Sequence, residues 1–567
     1  MNNEVKTING YAIKDVKAVR TYDTVALLKA DRKLKQGQHV KTRGYYSNGD
    51  GGSAEYYITN TQSESEYQEN LENGLYATLI INNSINTRQF GCKGDNETNE
   101  TNKLKAFFNT KANTYFINEG QYIIDDNLDI NSNSIIKGDK NSVIKFVGDS
   151  EDYFMLNVIN KNNVSFENVH LIGNRTSHQS DNLRSGFGFN IMFSQNITIR
   201  DCIAEDLWCD GFYIGNSFHE EQEQETKNVF IQNCKSIECG RNGFVVGGGK
   251  NITIDNCYCY KAYRLPGSGI DIEPEGAEVL DLYAENIRIN NFTSEECEYG
   301  ISLYSANTYI KNCIITNHIS LNDNKGESIN ITNTNSSVEF IGSNIVNSRD
   351  VGVYVYGVKA PNSLLIKDLI IDGTSSNHTN TDLSNAGILL YGLNNESDNL
   401  DNITIDNVTY KNTNSDYDYY YLISQQHFHL SSLLLKNTLR LANQPKIAIY
   451  NYDKIDIENC IIIEDGTTMT LGRYNIFNKM LNNNSLSGIN NLVVSDLIPN
   501  GIYEVYYTNN TVTNTAGLQF NNNLTVYQGN NQINNLVYTY KKCSYCRFMK
   551  NETDVLILDT SMTTTNV

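Results

Sequence analysis

The chain has 567 residues, of which 39% are hydrophobic and 19% charged, and its formal net charge is −20. That length admits several domains or one long solenoid with end pieces, while so acidic a balance argues against nucleic acid, which calls for a basic surface. No stretch approaches the ~20 apolar residues that cross a bilayer, so no membrane insertion is expected, and the opening MNNEVKTINGYAIKDV lacks a signal-peptide pattern. With 39 Gly but only 5 Pro, turns fall to Asn, Asp and Gly, which tolerate left-handed backbone.

Residues 1–85 read as a small β-rich cap or attachment region. They include KADRKLKQGQ from Lys29 and TRGYYSNGDGGSAEYYI from Thr42, where a Gly-Asp-Gly-Gly turn separates two aromatic, strand-like pieces. TNKLKAFFNT from Thr101 predicts an amphipathic helix, placed to cover the open first edge of the repetitive region C-terminal to it, since a bare edge invites aggregation.

Residues 86–435 carry two alternating motifs. One is Asn-apolar-X-apolar followed by an Asn or Asp step: NVSFENVHL from Asn163, NITIRDCIA from Asn196, NVFIQNCKS from Asn228, NITIDNCYC from Asn251, NIRINNFTS from Asn286, NTYIKNCII from Asn307 and NITIDNVTY from Asn402. The other is led by glycine: GFGFNI from Gly186, GFYIG from Gly211, GFVVG from Gly243, GIDIEP from Gly269, GISLYS from Gly300, GVYVYG from Gly352 and GILLYG from Gly387. Alternate apolar positions mark strands with one buried face, with Phe212 and Ile214 inward and Tyr213 outward. A fixed local pattern with uneven spacing predicts an all-β solenoid, a parallel β-helix, in preference to a β-sandwich or propeller. Coils would stack about 4.8 Å apart, letting Asn side chains form ladders and Cys202, Cys234, Cys257 and Cys313 form an interior stack of small hydrophobes.

Residues 436–567 lose the motifs and read as a C-terminal β-rich domain that caps the solenoid, holds a trimer together or binds glycan. The lone CxxC at Cys543–Cys546 is a weak zinc or redox signal without a second pair.

RQFGCKGDNETNETNKLKAFF from Arg88, YYSNGDGGSAEYYI from Tyr45 and the series CDGFYIG, GRNGFVVGGG and GSGIDIEPE together resemble a known family. It is the pectate-lyase-like right-handed parallel β-helices, specifically phage tailspikes and surface-polysaccharide depolymerases. Cys92 stands where the family's Phe-Gly-Ala-Lys-Gly-Asp opening has Ala. The likeness covers about residues 40–310. It implies a homotrimer in a virion tail, joined to a tail or baseplate protein through its N-terminal region and acting extracellularly on a bacterial capsular or wall polysaccharide.

Acidic residues are disfavoured in strands, so Gly269-Ile270-Asp271-Ile272-Glu273-Pro274-Glu275 stands out. With Ile270 and Ile272 inward, Asp271 and Glu273 share the outer face, their Cα atoms about 6.6 Å apart. Two nearby carboxylates suit a general acid beside a base or nucleophile; the spacing leans towards inversion, where a water fits between them. Asp210 or Glu275 would assist and Arg241 would position substrate. Tyr304, Tyr356 and Tyr391, with Tyr213, form a candidate sugar-stacking track, and Trp208, Tyr263 and Arg264 would rim the groove. The bland alternatives are solvated or calcium-binding carboxylates and an aromatic ladder that only stabilises a sheet. HEEQEQE from His219 reads as a solvated loop, and His178, His318 and His378 lack ligand spacing, so no metal is assigned.

The functional expectation is an endo-acting glycoside hydrolase without a cofactor. Two alternatives remain: a polysaccharide lyase, with a Lys or Arg base and calcium acidifying a uronate proton, and a non-catalytic receptor-binding fibre.

Overall fold

The chain folds as Asn and Asp dictate at its corners. In the computed structural model, side chains are described over residues 19–63, 66–150, 153–176, 185–216, 224–274, 283–305, 308–331, 335–358, 362–373, 386–391, 400 and 402–410, with backbone strands as far as Thr553–Asp559. Two compact units divide it: Met1–Gly148 with Val164–His170, and Asp149–Asn163 with Leu171–Val567.

The first unit holds a five-stranded sheet in the order Arg20–Tyr22, His39–Thr42, Ala54–Thr59, Tyr76–Leu79, Gln68–Asn70. The Gly-Asp-Gly-Gly turn is built on Asp50, whose carboxylate accepts from the backbone N–H of Tyr45, Tyr46, Ser47 and Gly52. The expected helix is Thr101–Phe108. Its Leu104, Phe107 and Phe108 are buried, and Phe107 meets Phe90 and Tyr115 edge-on, each at 5.3 Å between ring centroids. Parallel coiling begins here: Thr114–Ile117 pairs with Ser84–Asn86 on one side and Ser134–Gly138 on the other.

In the second unit each coil supplies three strands. Phe187–Met192, Gln195–Arg200 and Ile203–Glu205 are followed by Phe212–Gly215, Lys227–Gln232 and Lys235–Cys239, paired in parallel and in register. Left-handed corners separate them: Asn196 (φ 58), Asp201 (φ 54) and Asp206 (φ 52) in one coil, Asn228 (φ 57), Asn233 (φ 56) and Glu238 (φ 52) in the next. Asn and Asp enter this region at least cost among residues with a side chain. The Asn ladder forms, with the side-chain amides of Asn196, Asn228, Asn251 and Asn286 each donating to the residue one coil earlier at 3.0–3.1 Å. A second ladder joins Asp201, Asn233 and Asn256 at 2.8–3.0 Å. Inside, Phe189, Phe212 and Phe244 stack with centroids 4.8 and 4.7 Å apart. This is the expected fold, a parallel β-helix.

Three expectations of register are corrected. The ladder residue after Asn286 is Asn312, not Asn307: its amide donates to Asn286, and its φ of 54° makes the corner. Cys313 therefore stacks on Ile287, while the Cys202–Cys234–Cys257 column continues through Phe292 and His318, the residues that precede paired Thr293 and Ile319. All four of these cysteines are buried and free, as expected. In the first glycine-led strand the equivalent residue is Gly188, since Phe189 pairs with Phe212. Finally, a coil without a recognised motif, Lys325–Ile331, lies between the strands of Gly300 and Gly352.

Parallel pairing runs on to Cys460–Glu464, after which Thr467–Leu471 pairs antiparallel. The side chains of the expected C-terminal domain, including Cys543 and Cys546, lie outside the described residues, as do residues 219–223, His178 and His378.

Candidate active site

The site is set by a column of glycines. A Cβ on Gly211, Gly243 or Gly269 would lie 2.6–2.7 Å from the carbonyl oxygen of the next glycine, Gly243, Gly269 or Gly300, so only glycine permits this close stacking of coils. On either side of it, outward positions stack in three columns. The residue before each glycine gives Asp210, Asn242, Ser268, Tyr299 and Lys325. Two residues after it come Tyr213, Val245, Asp271, Ser302, Ser328 and Tyr354. Two residues further are Glu273 and Tyr304, which follow the paired Ile272 and Leu303, then Asn330.

Arg241 gathers the acidic residues. Its guanidinium lies 3.9 Å from Asp210 Oδ2, 3.9 Å from Asp271 Oδ2 and 3.9 Å from Glu273 Oε2. Three carboxylates, one from the coil before Arg241 and two from the coil after it, thus face one cation. Their side-chain exposures differ: 0% for Asp210, 2% for Asp271, 25% for Glu273 and 14% for Arg241. Glu273 stands at the mouth and the two aspartates at the floor. Glu275, expected to assist, lies outside the described residues.

Asn242 is a residue that sequence reasoning passed over. Fully buried, it donates through its backbone N–H to Asp210 Oδ1 (3.0 Å) and through Nδ2 to Asp271 Oδ2 (3.3 Å), while its Oδ1 accepts from Ser268 N–H (2.9 Å). It ties together the two buried carboxylates. The signal was available: the residue before each column glycine is polar in three successive coils.

The tyrosines divide. Tyr304 is 37% exposed, whereas Tyr354 and Tyr356 stack at 5.0 Å and Tyr354 meets Tyr391 at 5.7 Å. Tyr356 is the extra residue at a register shift opposite Ile329 and Asn330, and Asn330, in the unrecognised coil, separates it from Tyr304. Burial pushes the Tyr356 hydroxyl up to about 12 and that of Tyr354 higher still, so both remain hydroxyl donors at any working pH. The expectation that Tyr213 lies on an open face is corrected. It is 2% exposed, in an apolar cluster with Phe187, Met192, Phe193, Cys209 and Val245, stacked on Phe187 at 4.7 Å. Trp208 is likewise 0% exposed and so presents no rim; the Arg264 guanidinium lies 4.0 Å over its ring. Tyr263 is 49% exposed with Arg175 4.0 Å over its ring.

No family model matches the chain. Among curated proteins it is similar to the pre-neck appendage protein of Bacillus phage B103, 24% identical over 307 residues that cover 47% of this chain and 34% of that protein. The chain spans about a third of the length of the curated relatives it matches. Among solved structures it is similar to the Agl-KA catalytic domain, at 13% identity and a TM-score of 0.50 over 69% of this chain and 73% of that one. It is also similar to tailspike protein gp49 of Acinetobacter baumannii bacteriophage Fri1, a capsular polysaccharide depolymerase, at 12% identity and a TM-score of 0.46 over 80% of this chain and 76% of that one. By fold the chain is a parallel β-helix, and by sequence it is similar to phage pre-neck appendage proteins.

Proposed function

We propose that this chain is a phage tail appendage that binds a bacterial surface polysaccharide and cuts it by glycoside hydrolysis. The observation that carries the reading is the set of three carboxylates converging on Arg241, each at 3.9 Å. Hydrolysis passes through an oxocarbenium-like transition state, and fixed negative charge where positive charge develops lowers that barrier. Three carboxylates against one guanidinium leave a net negative face.

Exposure supports a division of roles. Glu273, at the mouth, is the general acid that protonates the leaving oxygen; Asp271, at the floor, is the base for a water, which needs only a narrow approach. Asp210 holds Arg241, which fixes Glu273, and Asn242 holds Asp271. Tyr304, Tyr356 and Tyr391 give the sugar hydroxyls and ring faces to meet. A lyase needs a base that can take a proton, and Arg241 remains protonated in proteins, which favours hydrolysis. The subunits are proposed to associate in parallel as a homotrimer, each burying one long face, with the N-terminal region joined to the tail.

The test is incubation of the protein with purified surface glycans of candidate hosts, with fragments analysed by mass spectrometry and ultraviolet absorbance. New reducing ends without enone absorbance are the expected result. Absorbing products would establish a lyase, and tight binding without fragments a receptor-binding fibre.

A further inference from the structure

The charges beside the site restrict the polymer it can accept. Arg241 is engaged by Asp210, Asp271 and Glu273. Along the same face Lys325 is engaged by Glu298 at 3.4 Å and Asp350 at 3.2 Å. It also lies 5.1 and 5.8 Å from the ring centres of Tyr299 and Tyr354. Burial opposes the charge of Lys325, but Asp350, Tyr299 and Glu298 outweigh it and hold its pKa above the usual lysine range. With Glu273 carrying the proton of the proposed general acid, the other four acids against these two cations give the described face a net charge of −2. A third cation, Arg264, is stacked on Trp208. The accessible column beyond Glu273, Tyr304 and Asn330 with Tyr356 and Tyr391, carries hydroxyls, an amide and rings but no charge. Residues 217–223 and 275–282, which come after two of these strands, contain Glu220, Glu221, Glu223, Glu275, Glu278 and Asp281 and neither Lys nor Arg; Lys359 follows the strand that carries Tyr356.

A polyanionic glycan is held by cations facing it, through charge-assisted bonds to its carboxylates or phosphates. Here the cations face carboxylates of the protein, and an acidic repeat would bring like charge against like. A neutral repeat meets the hydroxyls, amide and rings without that repulsion, and an amino sugar is attracted.

We infer that the substrate is a polysaccharide whose repeat carries no carboxylate, sulfate or phosphate: a neutral or amino-sugar chain. The inference rests on the depolymerase reading and narrows it. To test it, surface glycan is extracted from a bacterium that the labelled full-length protein stains. Anion exchange separates it into an unretained fraction and a retained, acidic one. Each is offered to the intact protein, with binding read by affinity electrophoresis and cleavage by mass spectrometry. The unretained fraction is expected to be bound and cut at least tenfold faster than the acidic one. Cleavage of the acidic fraction alone overturns the inference and leaves the depolymerase reading standing. Binding of the unretained fraction without fragments upholds the substrate class and overturns hydrolysis. Binding of neither fraction overturns both.

Discussion

Glu273 and Asp271 approach the same nitrogen of Arg241 but differ in exposure, 25% against 2%, and their substitutions should differ accordingly. Glu273→Gln removes the proposed acid at the mouth while leaving the floor intact. Turnover is expected to fall by roughly 10²–10⁴-fold, the usual worth of a general acid, with glycan affinity within a few-fold of the wild type. Asp271→Asn should lose a similar factor. Asn242→Ala touches neither substrate nor water directly. It deprives Asp271 of a donor and Ser268 of an acceptor, so kcat is expected to drop while KM stays close to its original value. Reducing-end release at graded glycan concentration separates these effects; an equal loss of binding in all three variants would remove the assigned roles.

At the scale of the strand and corner, stability is built from repeated small devices. Asn251 donates to Asn228 and accepts from Asn286, both at 3.0 Å, and holds φ at 57°. Asn251→Ala loses two exposed hydrogen bonds and keeps a Cβ in the left-handed region without the polar side chain that lets Asn tolerate it, for an expected loss of about 2–3 kcal/mol. Asn251→Gly loses the bonds without the steric cost, so it should destabilise less; chemical denaturation ranks the two. Asp323 is a device of another kind. It accepts from the Ser294 and Ser320 hydroxyls and from Cys297 N–H at 2.5–2.7 Å, and Ser294 also meets His318 Nε2 at 3.0 Å.

Burial raises the pKa of Asp323 from 3.8 to about 6, against the pull of those donors. The folded state therefore takes up a proton more readily than the unfolded one between these values. Ionisation above about pH 6 costs the fold on the order of 3 kcal/mol, a cost absent below about pH 4. Asp323→Asn does not titrate, so the wild type is expected to lose stability relative to this variant as pH rises from 4 to 7. Melting temperatures across that range measure it, and a constant difference would rule the titration out.

For the molecule as a whole, the proposed parallel trimer predicts three times the 64.0 kDa chain mass by light scattering with size exclusion. A monomer at micromolar concentration would count against the appendage assignment. With a face of net negative charge and an uncharged track, cleavage of the preferred glycan should also depend little on salt, because screening acts on charge pairs that a neutral polymer does not form. Initial rates between low and physiological ionic strength check this; a steep fall with salt would point to a cationic, amino-sugar repeat and a steep rise to an anionic one.

Much of this molecule was legible in local sequence because a solenoid repeats its local solution. The Asn-led and Gly-led motifs specify a left-handed corner and a half-buried strand, and their recurrence pointed to parallel coils, Asn ladders, an inward Phe212, and Asp271 and Glu273 on one side. Register was less legible. NTYI from Asn307 imitates the motif, but the corner belongs to Asn312, and Lys325–Ile331 lacks the signature because its Glu327 occupies an inward place. What only the tertiary structure decided is which outward residues meet solvent. Alternation tells one face of a strand from the other, but it does not tell a bare face from one covered by other parts of the chain. Tyr213 and Trp208 are covered and Glu273 is not, and Asn242 joins two carboxylates far apart in sequence only because the glycine column brings three coils to the spacing of a hydrogen bond.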